Sequence, residues 1–127
     1  MRLFLCLILV ISFMYSVAPN WSYIENLTLK KDEPYLHEFS LNEEPKTLYF
    51  YWTLYKNNGL VINLIYDGFP HQFVLYKDYK RKSFKLPLIH GRDVGDDSYL
   101  LITFSDFSTK DKSASLWLGI MLPRKTN

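Results

Sequence analysis

A chain of 127 residues that is 48% hydrophobic, 17% aromatic and 22% charged has room for one domain and too much apolar surface to remain disordered. Its formal net charge of +2 gives no bulk attraction to nucleic acid, and no nucleic-acid partner is expected. The single cysteine, Cys6, falls in the first apolar run, which excludes a disulfide framework and a cysteine metal site from the body and favours a bacterial envelope protein over a disulfide-stapled secreted domain.

Met1 and Arg2 make a short positive start, and Leu3 through Ala18 then run without a charge until Pro19 and Asn20 break the pattern. That is the layout of an export signal, a hydrophobic helix over residues 1–18 that is either cleaved or kept as an anchor. Ser16 and Ala18 supply small residues for cleavage, while Pro19 opposes it. Leu5 is too bulky for a lipoprotein signal at Cys6. Arg2 predicts a cytoplasmic N-terminus and an exported domain, periplasmic or extracellular, held in the inner membrane if the segment is uncleaved. A buried helix of a cytosolic fold is the competing reading, and it suits poorly a segment whose polar positions are Ser12 and Ser16.

Residues 19–127 alternate with period two between turn residues, and the ten tyrosines and nine phenylalanines of the whole chain reinforce the preference for strands. Tyr23 to Leu29 and Tyr35 to Leu41 are predicted to pair around Lys30 to Pro34. In Leu48 to Tyr55, the side chains of Leu48, Phe50, Trp52 and Leu54 are expected to face the core, with Tyr49, Tyr51, Thr53 and Tyr55 opposite. Asn57, Asn58 and Gly59 supply a tight turn into Leu60 to Tyr66, which Asp67, Gly68 and Pro70 end. Further strands are expected at Gln72 to Lys77, Lys82 to Leu88, Ser98 to Asp106 and Ser113 to Met121. In the last two, Leu100, Ile102, Phe104, Leu116, Leu118 and Ile120 face inward. The sum is an all-β domain, a single antiparallel β-sandwich of about seven or eight strands, jelly-roll-like or immunoglobulin-like. The order of hairpins through residues 35–122 resembles the small sandwich modules that accompany secreted bacterial proteins, including the pre-peptidase C-terminal type. The glycine-aspartate signature before that family's middle strand is missing here, and no functional residue is carried over.

The body has no thiol nucleophile and no G-x-S-x-G elbow, and His37, His71 and His90 do not stand at ligand spacing. No catalytic residue, metal or cofactor is therefore assigned. The loop His90, Gly91, Arg92, Asp93, Val94, Gly95, Asp96, Asp97 gathers carboxylates on a glycine-bearing turn without the ligand ladder of a calcium loop, and reads as a solvated turn. Asn20-Trp21-Ser22 and Asn26-Leu27-Thr28 match the glycosylation sequon, which matters only in a eukaryotic source. Two binding surfaces stand out. Tyr49, Tyr51 and Tyr55 form a stripe that is either covered by a second layer, such as the N-terminal strands, or exposed and suited to glycan stacking or a protein interface, the leading expectation being a non-enzymatic envelope protein that binds a protein partner. Lys77, Lys80, Arg81, Lys82 and Lys85 around Tyr79 form a basic hairpin over residues 77–85, suited to an anionic or sugar ligand or to protecting an edge strand.

Overall fold

The computed structural model describes residues 21–77, 80–89 and 98–123. The predicted N-terminal helix, Tyr79, His90 and the acidic loop after it lie outside the described residues. Eight strands follow in chain order: β1 (Tyr23–Lys30), β2 (Tyr35–Leu41), β3 (Glu44–Lys56), β4 (Gly59–Tyr66), β5 (Phe69–Tyr76), β6 (Ser83–Pro87), β7 (Tyr99–Ser108) and β8 (Ser113–Met121).

Three two-residue turns organise the middle of the chain. Asn42 and Glu43, Asn57 and Asn58, and Asp67 and Gly68 all adopt positive φ. That geometry gives a tight turn the twist of the strands it joins. Strands β2 to β5 consequently form an antiparallel meander, sheet B, in the order β2-β3-β4-β5. Sheet A has the order β1-β8-β7-β6. The described residues are all-β, with two antiparallel sheets of four strands, consistent with a β-sandwich. Neither the jelly-roll nor the immunoglobulin order fits. Both place non-consecutive strands side by side repeatedly, whereas every ladder here except β1–β8 joins neighbours in sequence.

Several expected pairings are corrected. β1 does not pair with β2; it pairs with β8, with Leu27 opposite Leu116, and residues 31–34 carry the chain across to the other sheet. Asp32 N–H anchors that crossing by donating to the Trp52 carbonyl at 2.9 Å. Pro70 does not end a strand but sits in β5 opposite Ile65, at a sheet edge where a missing amide costs no ladder bond. Gly59 opens β4 without the positive φ expected of it, and a Cβ there would come within 2.9 Å of the Tyr76 ring.

The core is built from both sheets, including Leu48, Phe50, Trp52, Ile62, Leu64 and Tyr66 from sheet B, and Leu100, Ile102, Phe104, Leu116, Leu118 and Ile120 from sheet A. The Tyr66 hydroxyl donates to the Leu88 carbonyl at 2.7 Å, and burial pushes its pKa up to about 12. Where an edge of one sheet meets an edge of the other there is no ladder, and aromatic stacks close the gap. Tyr23 lies on His37 at 4.3 Å between β1 and β2. Phe73 lies on Phe84 at 3.8 Å between β5 and β6.

One irregularity changes which side chains face out. The β3–β4 register shifts between Trp52 and Leu54, so that Thr53 is the extra residue of a bulge. Beyond it the alternation reverses. Leu54, expected in the core, is 49% exposed, while Tyr55, expected outside, turns inward and stacks on Phe107 at 3.9 Å. A second shift, between Phe104 and Asp106, bends β7 in the other sheet and brings Phe107 to the same place.

Candidate functional site

Central strands of an antiparallel sheet that meets water on one face normally alternate apolar inward and polar outward. The outer face of sheet B departs from that rule. In register, Leu36, Tyr49, Ile65 and Pro70 form one row across all four strands. A second row holds Tyr51, Asn63 and Gln72, and a third, past the bulge, Leu54, Val61 and Val74. Of six large hydrophobic side chains exposed among the described residues, only Ile24 lies outside sheet B; Leu36, Leu54, Ile65, Phe69 and Val74 belong to its strands. The Tyr49 and Tyr51 rings meet edge to face at 5.8 Å, which braces both. A shallow depression of about 380 Å³ runs beside them, bordered by Tyr51, Asn63, Ile65, Pro70, His71 and Gln72. Two of the three predicted stripe tyrosines therefore share this face. Tyr55 does not, because the Thr53 bulge sends it to the core side.

The basic stretch is not a hairpin within one sheet. It crosses from β5 at the edge of sheet B to β6 at the edge of sheet A, and its charges are dispersed. Lys77 pairs with Asp106 at 2.7 Å, which holds that carboxyl below the usual carboxylate range. Lys80, Arg81 and Lys82 are exposed on the crossover, whose backbone is pinned on both sides: Tyr76 N–H donates to the Arg81 carbonyl, and Phe104 N–H to the Lys82 carbonyl. Lys85 projects on the outer face of sheet A, its ammonium 4.0 Å from the centre of the Tyr99 ring.

That outer face holds an aromatic group that no local sequence pattern announced. Trp21 meets Trp117 at 5.0 Å and Tyr99 at 5.6 Å, both edge to face. The three rings come from points in the chain up to 96 residues apart, and the floor beneath them is Gly119. A Cβ at that position would lie 2.4 Å from the Trp117 ring and 2.9 Å from the Trp21 ring. The glycine within the apolar run Leu116 to Met121 was the one available sign that something lies close over the backbone.

A histidine and a carboxylate do converge, at the β1–β2 seam. The Glu25 carboxylate accepts hydrogen bonds from the hydroxyls of Tyr23 and Tyr35, which lower its pKa, with a smaller contribution from nearby His37. Desolvation and the same carboxylate raise the Tyr35 phenol. One oxygen of Glu25 serves both phenols and the His37 ring is stacked, so the group ties β1 to β2. Among the described residues, no three metal-ligating side chains cluster.

Comparison with protein-family models, with curated proteins and with solved structures returns no match to this chain.

Proposed function

We propose that the chain is an exported, non-enzymatic protein of the cell envelope whose sandwich binds a protein partner through the outer face of sheet B. The observation that supports this best is the row Leu36, Tyr49, Ile65 and Pro70, in which Leu36 is 58% and Ile65 41% exposed. A contiguous apolar surface left open to water is characteristic of an interaction site. Tyr49 and Tyr51 add broad, rigid area with a hydroxyl at the tip, which favours the surface of another protein over a small ligand. Export rests on the uncharged run from Leu3 to Ala18 behind Arg2.

The second reading, an anionic or sugar ligand, draws its support from Lys80, Arg81 and Lys82, three consecutive exposed cations on the β5–β6 crossover. Salt separates the two. The three rows of sheet B carry no ionised side chain, so their contact should hardly respond to ionic strength, whereas polyanion binding weakens steeply. The test uses the full chain as bait in envelope extracts, beside a Tyr49→Ser, Tyr51→Ser, Ile65→Thr variant. Salt-tolerant capture that the folded variant loses supports the proposal. Equal capture by the folded variant overturns it, and salt-sensitive capture lost on neutralising Lys80 to Lys82 replaces it with the second reading.

A further inference from the structure

We infer that the outer face of sheet A rests on the membrane surface, with Trp21, Tyr99 and Trp117 in the headgroup region and Lys85 beside them. The inference builds on the reading of residues 3–18 as a membrane segment. It is independent of what binds sheet B.

Three observations carry it. The first is chemical: tryptophan and tyrosine, with an apolar body and a polar tip, collect at membrane-water interfaces, and lysine reaches from apolar surroundings to headgroup phosphates. This face combines all three types at close range, Trp21 against both Trp117 and Tyr99, with Lys85 over the Tyr99 ring. The second is the composition of the rows around them. Ile24, Gly119, Leu101 and Lys85 lie in one row, and Met121, Tyr99 and Pro87 in the next. Ile24 is 51% exposed, and no carboxylate interrupts either row to repel anionic lipid. The third is position. Trp21 is joined through Pro19 and Asn20 to the uncharged run that ends at Ala18, so the chain arrives at the domain on this patch. Because opposite faces of a sandwich point apart, the same placement turns Tyr49, Tyr51 and Ile65 away from the bilayer, where a partner can reach them.

Bromine in a lipid acyl chain quenches a tryptophan that touches it. The full chain, reconstituted in vesicles of phosphatidylcholine and phosphatidylglycerol with brominated acyl chains, therefore reads the orientation directly. Trp21 would be quenched by proximity to the membrane segment alone, so the deciding protein is Trp21→Phe, in which Trp117 reports for the face and Trp52 lies buried between the sheets. The expected result is that Trp21→Phe remains quenched, that Trp21→Phe with Trp117→Phe is not, and that circular dichroism shows the same strand content in both. A Trp21→Phe protein whose emission ignores the brominated lipid overturns the inference. So does a Trp117 emission that shifts instead with a soluble oligosaccharide, which assigns the face to sugar. If the sheet B variant loses its partner while quenching is absent, the orientation fails and the partner surface stands.

Discussion

The indole N–H of Trp52 on β3 donates to the carbonyl of Leu29 on β1 across 2.8 Å, joining the two sheets at a seam where their edges form no ladder. The adjacent Thr53 bulge twists β3 there, and Asp32 N–H closes the same junction on the Trp52 carbonyl. Replacing Trp52, 3% exposed, with alanine removes both core volume and the inter-sheet bond, at a cost of about 3–5 kcal/mol. Trp52→Phe keeps most of the volume but leaves the Leu29 carbonyl without this donor, and should cost about 1–3 kcal/mol. Urea unfolding measures both; a Trp52→Ala protein as stable as its parent would contradict the buried register of β3.

Glu43 occupies the β2–β3 turn at a φ of 69°, a conformation that glycine adopts without steric penalty. Glu43→Gly should stabilise the fold by about 0.5–1 kcal/mol, the relief of left-handed strain outweighing the added freedom of the unfolded chain. The same urea titration checks it, and a loss of stability would mean that the Glu43 side chain contributes something beyond the turn.

Acid should act through Glu25. Its folded pKa is depressed by the two phenol hydrogen bonds, so the stability it contributes is complete above its ordinary value of 4.5 and is lost as pH falls through the folded pKa. In Glu25→Gln that component is absent. Urea midpoints compared between neutral pH and the acid range below 4.5 should fall more steeply for the parent than for the variant. Parallel slopes would remove Glu25 from the acid response.

Gly119→Ala places a methyl group against the rings of Trp117 and Trp21, which must shift to admit it. Stability should drop by about 1–3 kcal/mol, as for other overpacked sites, and tryptophan emission should shift to the red as the rings are displaced into water. Unchanged emission would show that the rings are not seated over this position.

Much of the architecture was legible because local chemistry and global packing agreed. Asn57 and Asn58 suit positive φ and are flanked by two strand-forming apolar runs, so β3 and β4 could be paired from sequence, as could β7 and β8. The β1–β2 link could not, because Lys30 to Pro34 has the polar composition of a hairpin and crosses between sheets instead. Alternation cannot distinguish these, since a strand buries one face whichever sheet it joins. The fate of Tyr55 was hidden for a related reason. Leu54 and Tyr55 are each compatible with either side of a sheet, and the bulge that exchanges them has no glycine to mark it. Tyr49 and Tyr51 were found by their spacing, whereas Leu36, Ile65 and Pro70 join them only through register across separate strands. Trp21, Tyr99 and Trp117 escaped notice because a tertiary cluster leaves no periodic trace.

If a protein partner docks on the outer face of sheet B, contact-dependent photocrosslinking will capture it there. A photoreactive residue at Ile65, in the middle of the apolar row, should give one discrete protein adduct in the envelope, and the same residue at Thr103, outward on the opposite sheet, should give none. The absence of an adduct at Ile65, or the same adduct from both positions, would mean that no partner docks specifically on this face.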